Sequence, residues 1–218
     1  MSKNIAIILA GCGYLDGAEI RESVLTLLAL DTEGARYDIF APDRDQHHVI
    51  NHLSGEEVKE SRNVLMESAR IARGKIQDLK ELDSSKYDAL ILPGGFGAAK
   101  NLSDFAFKGS DGKVSSDVAK TIKDFNSTNK TIGAICISPA LLALALGDKK
   151  PNITIGNDES TASELQKLGA VHANTAPNEI IVDETNKLVT TAAYMFDDAP
   201  LNDIFTGIHS LVKKVIEL

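Results

Sequence analysis

Cysteine is scarce in this chain, with two thiols in 218 residues. One of them, Cys136, lies in "GAICISPALLAL" (133–144), directly after a β-like run and directly before a helix-like run. A sulfur in that position meets the unpaired amides of a helix's first turn, whose partial positive charge favours thiolate, the nucleophilic form. Ser138 and Pro139 open the helical run, and proline suits a first turn because it needs no hydrogen-bond partner there. The layout is that of a nucleophile elbow. The competing reading is a buried small hydrophobe, since free cysteine is among the residue types most often found inside.

Two glycine-rich turns belong to the same picture. "LPGGFGAAKN" places Gly94 and Gly95 after a second strand-like run, where backbone can approach a substrate closely. The amide of Gly95, with that of Ile137, is a candidate pair for holding a developing oxyanion. "GCGYLDG" follows the first strand-like run and puts Cys12 in a turn, where it is either a loop thiol without a role or a group that opens toward the same cleft. "GGFG" breaks the GxGxxG spacing and no GK[ST] follows, which argues against nucleotide phosphates. No C-x-x-C or H-E-x-x-H spacing is present, so no metal is expected.

The elements that must position these residues alternate between strand and helix, the pattern of an α/β, doubly wound, mostly parallel sheet with helices on both faces. Strands are expected at 4–10, 36–42, 87–93, 131–135 and 152–156. Helices are expected at 17–35, 61–73, 113–130, 138–146, 162–170 and 201–218. In the first helix Ile20, Val24, Leu27 and Leu28 recur at helical spacing and predict the apolar face. Residues 178–194 read as a β-hairpin near the C-terminus, with Asp183 to Asn186 at its turn. Residues 43–60 have no firm period and form a long excursion, a kind of segment often functional or interfacial. With no repeat or linker, residues 1–218 read as one domain. In open parallel sheets, ligands sit beyond the carboxyl ends of the strands, where all three unusual turns fall.

Composition narrows the partners. A net charge of −8 without clustered Lys or Arg argues against nucleic acid. No apolar run reaches the ~20 residues of a membrane span, and no signal peptide is expected at the N-terminus. Two widely separated cysteines in a chain this size suggest free thiols in a reducing compartment, the cytoplasm being the simplest.

Taken together, "LPGGFGAAKNLSDFA", "GAICISPALL" and "GCGYLDGAEIRESVLTLLALDTEGA" resemble the ThiJ/PfpI superfamily, with its class I glutamine amidotransferase-like fold, and within it the ElbB-like glyoxalase branch. The likeness spans essentially the whole chain, including "FAPDRDQHHVINHLSGE" and "ETNKLVTTAAYM". It implies an elbow nucleophile at Cys136 and a helix-borne glutamate, which the family's interval to the glycine closing that helix assigns to Glu22, with Glu19 in reserve. It further implies a cofactor-independent glyoxalase of the lyase class. Glyoxal would become glycolate through a Cys136 hemithioacetal, with Glu22 shuttling the proton. Common homodimerisation in the superfamily implies the same here. Many members carry a histidine beside the cysteine or on a nearby loop, whereas here Ile137 follows Cys136 and 152–158 has none. That departure keeps a second expectation open, a stress-associated regulatory or binding protein with little turnover. A carboxyl and a thiol in contact share one proton, and the expected resting form is protonated Glu22 donating to a Cys136 thiolate.

Overall fold

The computed structural model describes residues 2–218. Its strands are β1 (Asn4–Ile8), β2 (Arg36–Ala41), β3 (Gln77–Asp78), β4 (Ala89–Leu92), β5 (Thr131–Ile135), β6 (Asn152–Ile153), β7 (Val171–His172), β8 (Ile180–Asp183) and β9 (Leu188–Thr191). Its α-helices are α1 (Ile20–Thr32), α2 (Val64–Ile71), α3 (Phe96–Lys100), α4 (Phe105–Lys108), α5 (Ser116–Ser127), α6 (Pro139–Leu146), α7 (Glu159–Lys167) and α8 (Leu201–Glu217). Seven strands form one sheet in the order β3-β2-β1-β4-β5-β9-β8, all parallel except β8, which runs antiparallel to β9. β6 and β7 make a separate two-stranded ladder, so the strand expected at 152–156 exists in its first two residues and lies outside the main sheet.

The central strands read as unbroken apolar runs because both faces are covered. Residues 89–92 and 131–135 are buried at every position. α1 and α8 pack together on one face, while α5 and α6 pair on the other. The chain leaves β1 toward β2 and β3, then returns to β1's other side for β4 and the strands beyond it. That reversal opens a crevice at the carboxyl ends of β1 and β4. The hairpin is as expected: the Asp183 carboxylate accepts from the Asn186 backbone N–H at 2.9 Å and from its side-chain amide at 2.7 Å.

α1 differs from its sequence pattern in orientation. Ile20, Val24 and Leu28 are 44%, 48% and 49% exposed, and the face turned inward carries Glu22, Ser23, Thr26, Ala29 and Leu30. Ser23 and Thr26 can be buried cheaply because their hydroxyls donate to carbonyls one turn back, Glu19 O at 2.7 Å and Glu22 O at 2.8 Å. Small, self-satisfied side chains let the helix sit close, and they bring Glu22 in with them.

The excursion at 43–60 is tied down by buried polar groups. Asp16 accepts from the Ile50 N–H at 2.7 Å, and Asn101 accepts from His47 N–H at 2.8 Å. The Asn101 amide also donates to Ala10 O and Asp16 O at 2.9 and 2.8 Å, so one side chain joins the β1 turn, α3 and the excursion. Replacing Asn101 with Ala should cost about 2–3 kcal/mol, roughly one for each bond. Urea denaturation checks this, and a loss under about 0.5 kcal/mol would show that water replaces those bonds freely.

Candidate functional site

The carboxyl ends of β1, β4, β5 and β9 converge on Cys136. Its φ of 60° is left-handed, a conformation a non-glycine residue adopts at a cost and only where its surroundings enforce it. The enforcement is visible: Cys136 N–H donates to Thr191 O at 2.9 Å, and the Ser138 hydroxyl, fully buried, donates to Pro93 O at 2.7 Å. The sharp strand-to-helix turn expected of "CISP" is therefore present, anchored to both neighbouring strand ends.

The glycine turns after β1 and β4 pack backbone on backbone. Glu19 N–H donates to Gly94 O at 2.9 Å, Phe96 N–H to Tyr14 O at 2.7 Å, and Gly97 N–H to Gly17 O at 2.8 Å. A methyl group added at Gly94 would lie 2.5 Å from Cys136 Cβ and 2.6 Å from Glu22 Oε2. Gly94 thus packs against both side chains with no room for a Cβ. Gly95, at φ 96°, would meet Glu19 N at 2.4 Å if it carried a Cβ. The β4 turn tolerates no residue but glycine at either position.

Glu22 is fully buried, and both of its oxygens accept backbone amides: Oε2 from Gly94 at 3.0 Å and Oε1 from Tyr194 at 3.1 Å. Burial pushes its carboxyl up to about 8, helped by the nearby Glu19, while the Tyr194 amide, the Cys136 thiol and the Gly94 amide pull the other way. At neutral pH Glu22 is protonated. Burial also raises the Cys136 thiol well above its ordinary range, opposed by the amides of Gly95 and Ile137, which point at the sulfur. Cys136 is only 7% exposed. The expected resting thiolate is corrected on this point: desolvation outweighs the helix terminus, so both members of the pair rest neutral and one proton must leave before sulfur can attack.

The remaining expected residues fall as follows. Glu19 caps α1, its carboxylate accepting from Glu22 N–H at 2.5 Å, and burial raises it as well. It orients the helix that carries Glu22 and is not the group against the thiol. Gly95 and Ile137 bring their amides to Cys136 as a pair. Cys12 is a half-buried free thiol in the β1 turn, raised by burial and by Glu67 of α2, with Arg70 opposing. The groups that set its charge are not those around Cys136. His47 lies tilted against Phe107 and His48 meets the same ring edge-on, His52 braces the β1 turn by accepting from Leu15 N–H at 3.3 Å, His172 accepts from Ile155 N–H at 3.2 Å, and His209 pairs with Glu33. No histidine is among the groups that shape Cys136 ionisation.

Tyr194 is the participant that sequence reasoning missed. It contributes through its backbone, from a turn that follows β9 and lies 172 residues from Glu22. The only signal available was the position just beyond a strand end. Among the described residues, no group of three or more His, Cys, Asp or Glu is arranged to hold a metal ion, and no helix is long and apolar enough to cross a membrane.

Comparison with known proteins gives the chain a family and a fold. The pattern of the DJ-1/PfpI family matches residues 6–199. The chain is 47% identical over 224 aligned residues to the rat (Rattus norvegicus) "ES1 protein homolog, mitochondrial", covering 98% of this chain and 83% of the rat protein. It is 46% identical to the human "Glutamine amidotransferase-like class 1 domain-containing protein 3, mitochondrial", over 98% of this chain and 82% of the human one. A crystal structure from Ehrlichia chaffeensis, described as an isoprenoid biosynthesis protein with an amidotransferase-like domain, superposes with a TM-score of 0.93 at 37% identity over 99% of both chains.

The ionisation of Glu22 carries a signed consequence for stability. Unfolded, its carboxyl titrates near the ordinary 4.5; folded, near 8. Between those values the folded protein holds a proton that the unfolded chain has released, so this contribution is fully favourable at acid pH and is lost as pH rises toward about 8. Glu22→Gln cannot ionise, but its NH2 must face one of the two amide donors, which should cost about 1–3 kcal/mol at low pH. The thermal midpoint of the variant should start below wild type near pH 5 and gain on it as pH approaches 8. Differential scanning fluorimetry reads the gap, and a gap constant with pH would contradict a neutral buried Glu22.

Proposed function

The chain belongs to the DJ-1/PfpI family, and from that premise we propose that it is a cofactor-independent glyoxalase of the ElbB-like branch, converting glyoxal and water to glycolate. The observation that supports this most directly is the pairing of a protonated, immobilised Glu22 with the Cys136 thiol, in which Glu22 and backbone amides, and no histidine, set the state of the thiol. Cleaving an amide calls for a group that protonates a departing amine, a role histidine usually takes. An internal rearrangement of a dicarbonyl needs only one nucleophile and one carboxyl that can give and take the same proton.

The reaction proceeds from the pair once it has lost one proton. The Cys136 sulfur adds to one carbonyl carbon, forming the C–S bond, and the carbonyl oxygen takes the Glu22 proton to give the hemithioacetal. Glu22, now a carboxylate, removes the hydrogen from that carbon, and the electrons move to give an enediolate. The same carboxyl returns the proton to the second carbon, the hydroxyl proton of the first carbon passes to the oxygen of the second, and the first regains its carbonyl, leaving a thioester of glycolate. Water then adds to the thioester carbonyl and the C–S bond breaks, Glu22 taking one proton of the water and the product acid releasing another to solvent, so that glycolate leaves and the singly protonated pair is restored. One carbon is oxidised and its neighbour reduced, so no external redox partner enters. In this reading the Gly95 and Ile137 amides, which bond the sulfur at rest, hold the oxygen of the sulfur-bearing carbon.

A second reading, a regulatory or binding protein with little turnover, is favoured by the slight exposure of Cys136 and the missing histidine. We further propose that the protein assembles as a homodimer through the 43–60 excursion, where Leu53 is 97% exposed, and works in a reducing compartment of cytoplasmic type. Sedimentation of the wild type against Leu53→Asp checks that contact, and an unchanged dimer would place the interface elsewhere.

Purified protein should turn glyoxal into glycolate with kcat/KM rising about tenfold per pH unit and levelling near pH 8, because the reactive pair is short of one proton. Cys136→Ala should abolish turnover, and Glu22→Gln should lower it by roughly 10²-fold or more. Full activity in Cys136→Ser would overturn the mechanism. A wild type that makes no glycolate would leave the second reading in its place.

A further inference from the structure

The turn that presents Tyr194 N–H to Glu22 is not stable by its own sequence. Ala193, immediately before Tyr194, has φ 42°, left-handed backbone in a residue with a Cβ, fully buried. Such a conformation persists only where its surroundings hold it. Within the turn, Met195 N–H donates to Ala192 O at 3.0 Å and Phe196 N–H to Ala193 O at 3.2 Å. These bonds close the turn on itself but do not attach it to α1, where Glu22 resides.

The attachment is made by Arg21, one residue before Glu22. Its guanidinium Nη1 donates to the Tyr194 hydroxyl at 3.0 Å, and its central carbon lies 5.8 Å from the centre of the Tyr194 ring. Tyr194 is therefore gripped at both ends by consecutive residues of one helix: its hydroxyl by Arg21 and its amide by Glu22. Arg21 is solvent-exposed, and an exposed arginine bond adds little to folding stability. Its geometry fits a different task.

We infer that Arg21 and Tyr194 are positioning residues: by clamping the turn after β9 onto α1, they keep the Tyr194 amide on Glu22 Oε1 and so set how the Glu22–Cys136 pair shares its proton. The titratable groups facing Glu22 are Cys136 from the elbow and Glu19 from the start of α1, with the Tyr194 phenol and Arg21 lying outside them. The Tyr194 amide bonds Glu22 in every state but stabilises the carboxylate most, because a charged acceptor makes the stronger hydrogen bond. Loosening it costs the two states with protonated Glu22, thiol or thiolate, equally and costs the carboxylate state more. The pair then loses its first proton at higher pH, yet a larger share of the singly ionised form is thiolate.

That asymmetry gives a signature a merely structural role would lack. Alkylation of Cys136 by iodoacetamide reports thiolate without needing any substrate, in a Cys12→Ser background so that one thiol reacts. In Tyr194→Phe, which removes one oxygen and no charge, the pH midpoint of alkylation should rise by roughly half a unit. The plateau rate should rise about threefold, while rates well below the midpoint stay unchanged. Arg21→Met should match it, Arg21→Lys should restore part of the wild-type midpoint, and the double variant should add nothing further.

An unchanged midpoint in Tyr194→Phe overturns the proposal. A shift in Arg21→Met without one in Tyr194→Phe also overturns it, since that outcome assigns the effect to charge alone. The proposal rests on the Cys136–Glu22 pair of the glyoxalase reading, but its readout does not. A protein without glyoxal turnover that still shows the midpoint shift defeats that reading and upholds this one, and the opposite result separates them the other way.

Discussion

Everything at the reactive end of this fold depends on one close approach, that of the β4 turn to a helix-borne carboxyl and an elbow thiol already in contact. Gly94 leaves no room for a methyl between Cys136 Cβ and Glu22 Oε2, and its own amide holds that carboxyl. The same turn fixes Gly95, whose amide reaches the sulfur, and it is locked against the β1 turn by Glu19, Phe96 and Gly97 amides. A wider turn at this point would separate the pair, admit water to the carboxyl and return it toward ordinary acidity. Burial, protonation and contact are consequences of one steric fact.

The rest of the architecture can be read as what it takes to bury an acid without an opposite charge. A carboxyl removed from water needs its lone pairs satisfied, and two backbone amides from different loops do this. Those loops end different strands, so the parallel order that places β4, β5 and β9 side by side is what makes the arrangement possible. α1 must then present its polar-bearing face inward, which it does by filling that face with Ser23, Thr26 and Ala29 in place of large aliphatics.

The parts of the molecule legible in its sequence are those where local and tertiary demands agree. The runs at 89–92 and 131–135 are apolar because they are buried on both faces, and Asp183 to Asn186 is a turn both by composition and by its hydrogen bonds. Cys136 could be placed at an elbow from its flanks alone. Glu22 could not: on residue pattern it was a surface glutamate, because Ile20, Val24 and Leu28 mark the opposite face as apolar, and only resemblance to a family pointed to it. The helix orientation is decided by small residues whose signal is faint in any periodicity. Tyr194 was invisible for another reason, since a backbone amide has no residue identity to read. Of the separate ladder, β6 was expected within 152–156, whereas β7 escaped because a two-residue strand carries no pattern.

The double grip on Glu22 has a geometric corollary. With one lone pair on each oxygen committed to a fixed amide, the carboxyl cannot spin, and its acidic hydrogen keeps a single heading toward the sulfur's side of the crevice. An acid immobilised in this manner serves any adjacent carbon from one direction. A flat carbon delivered there would be treated as two unlike faces, and since glycolate has no stereocentre the choice would be recorded in which of its two methylene positions receives the returned proton, written by the backbone of two loops.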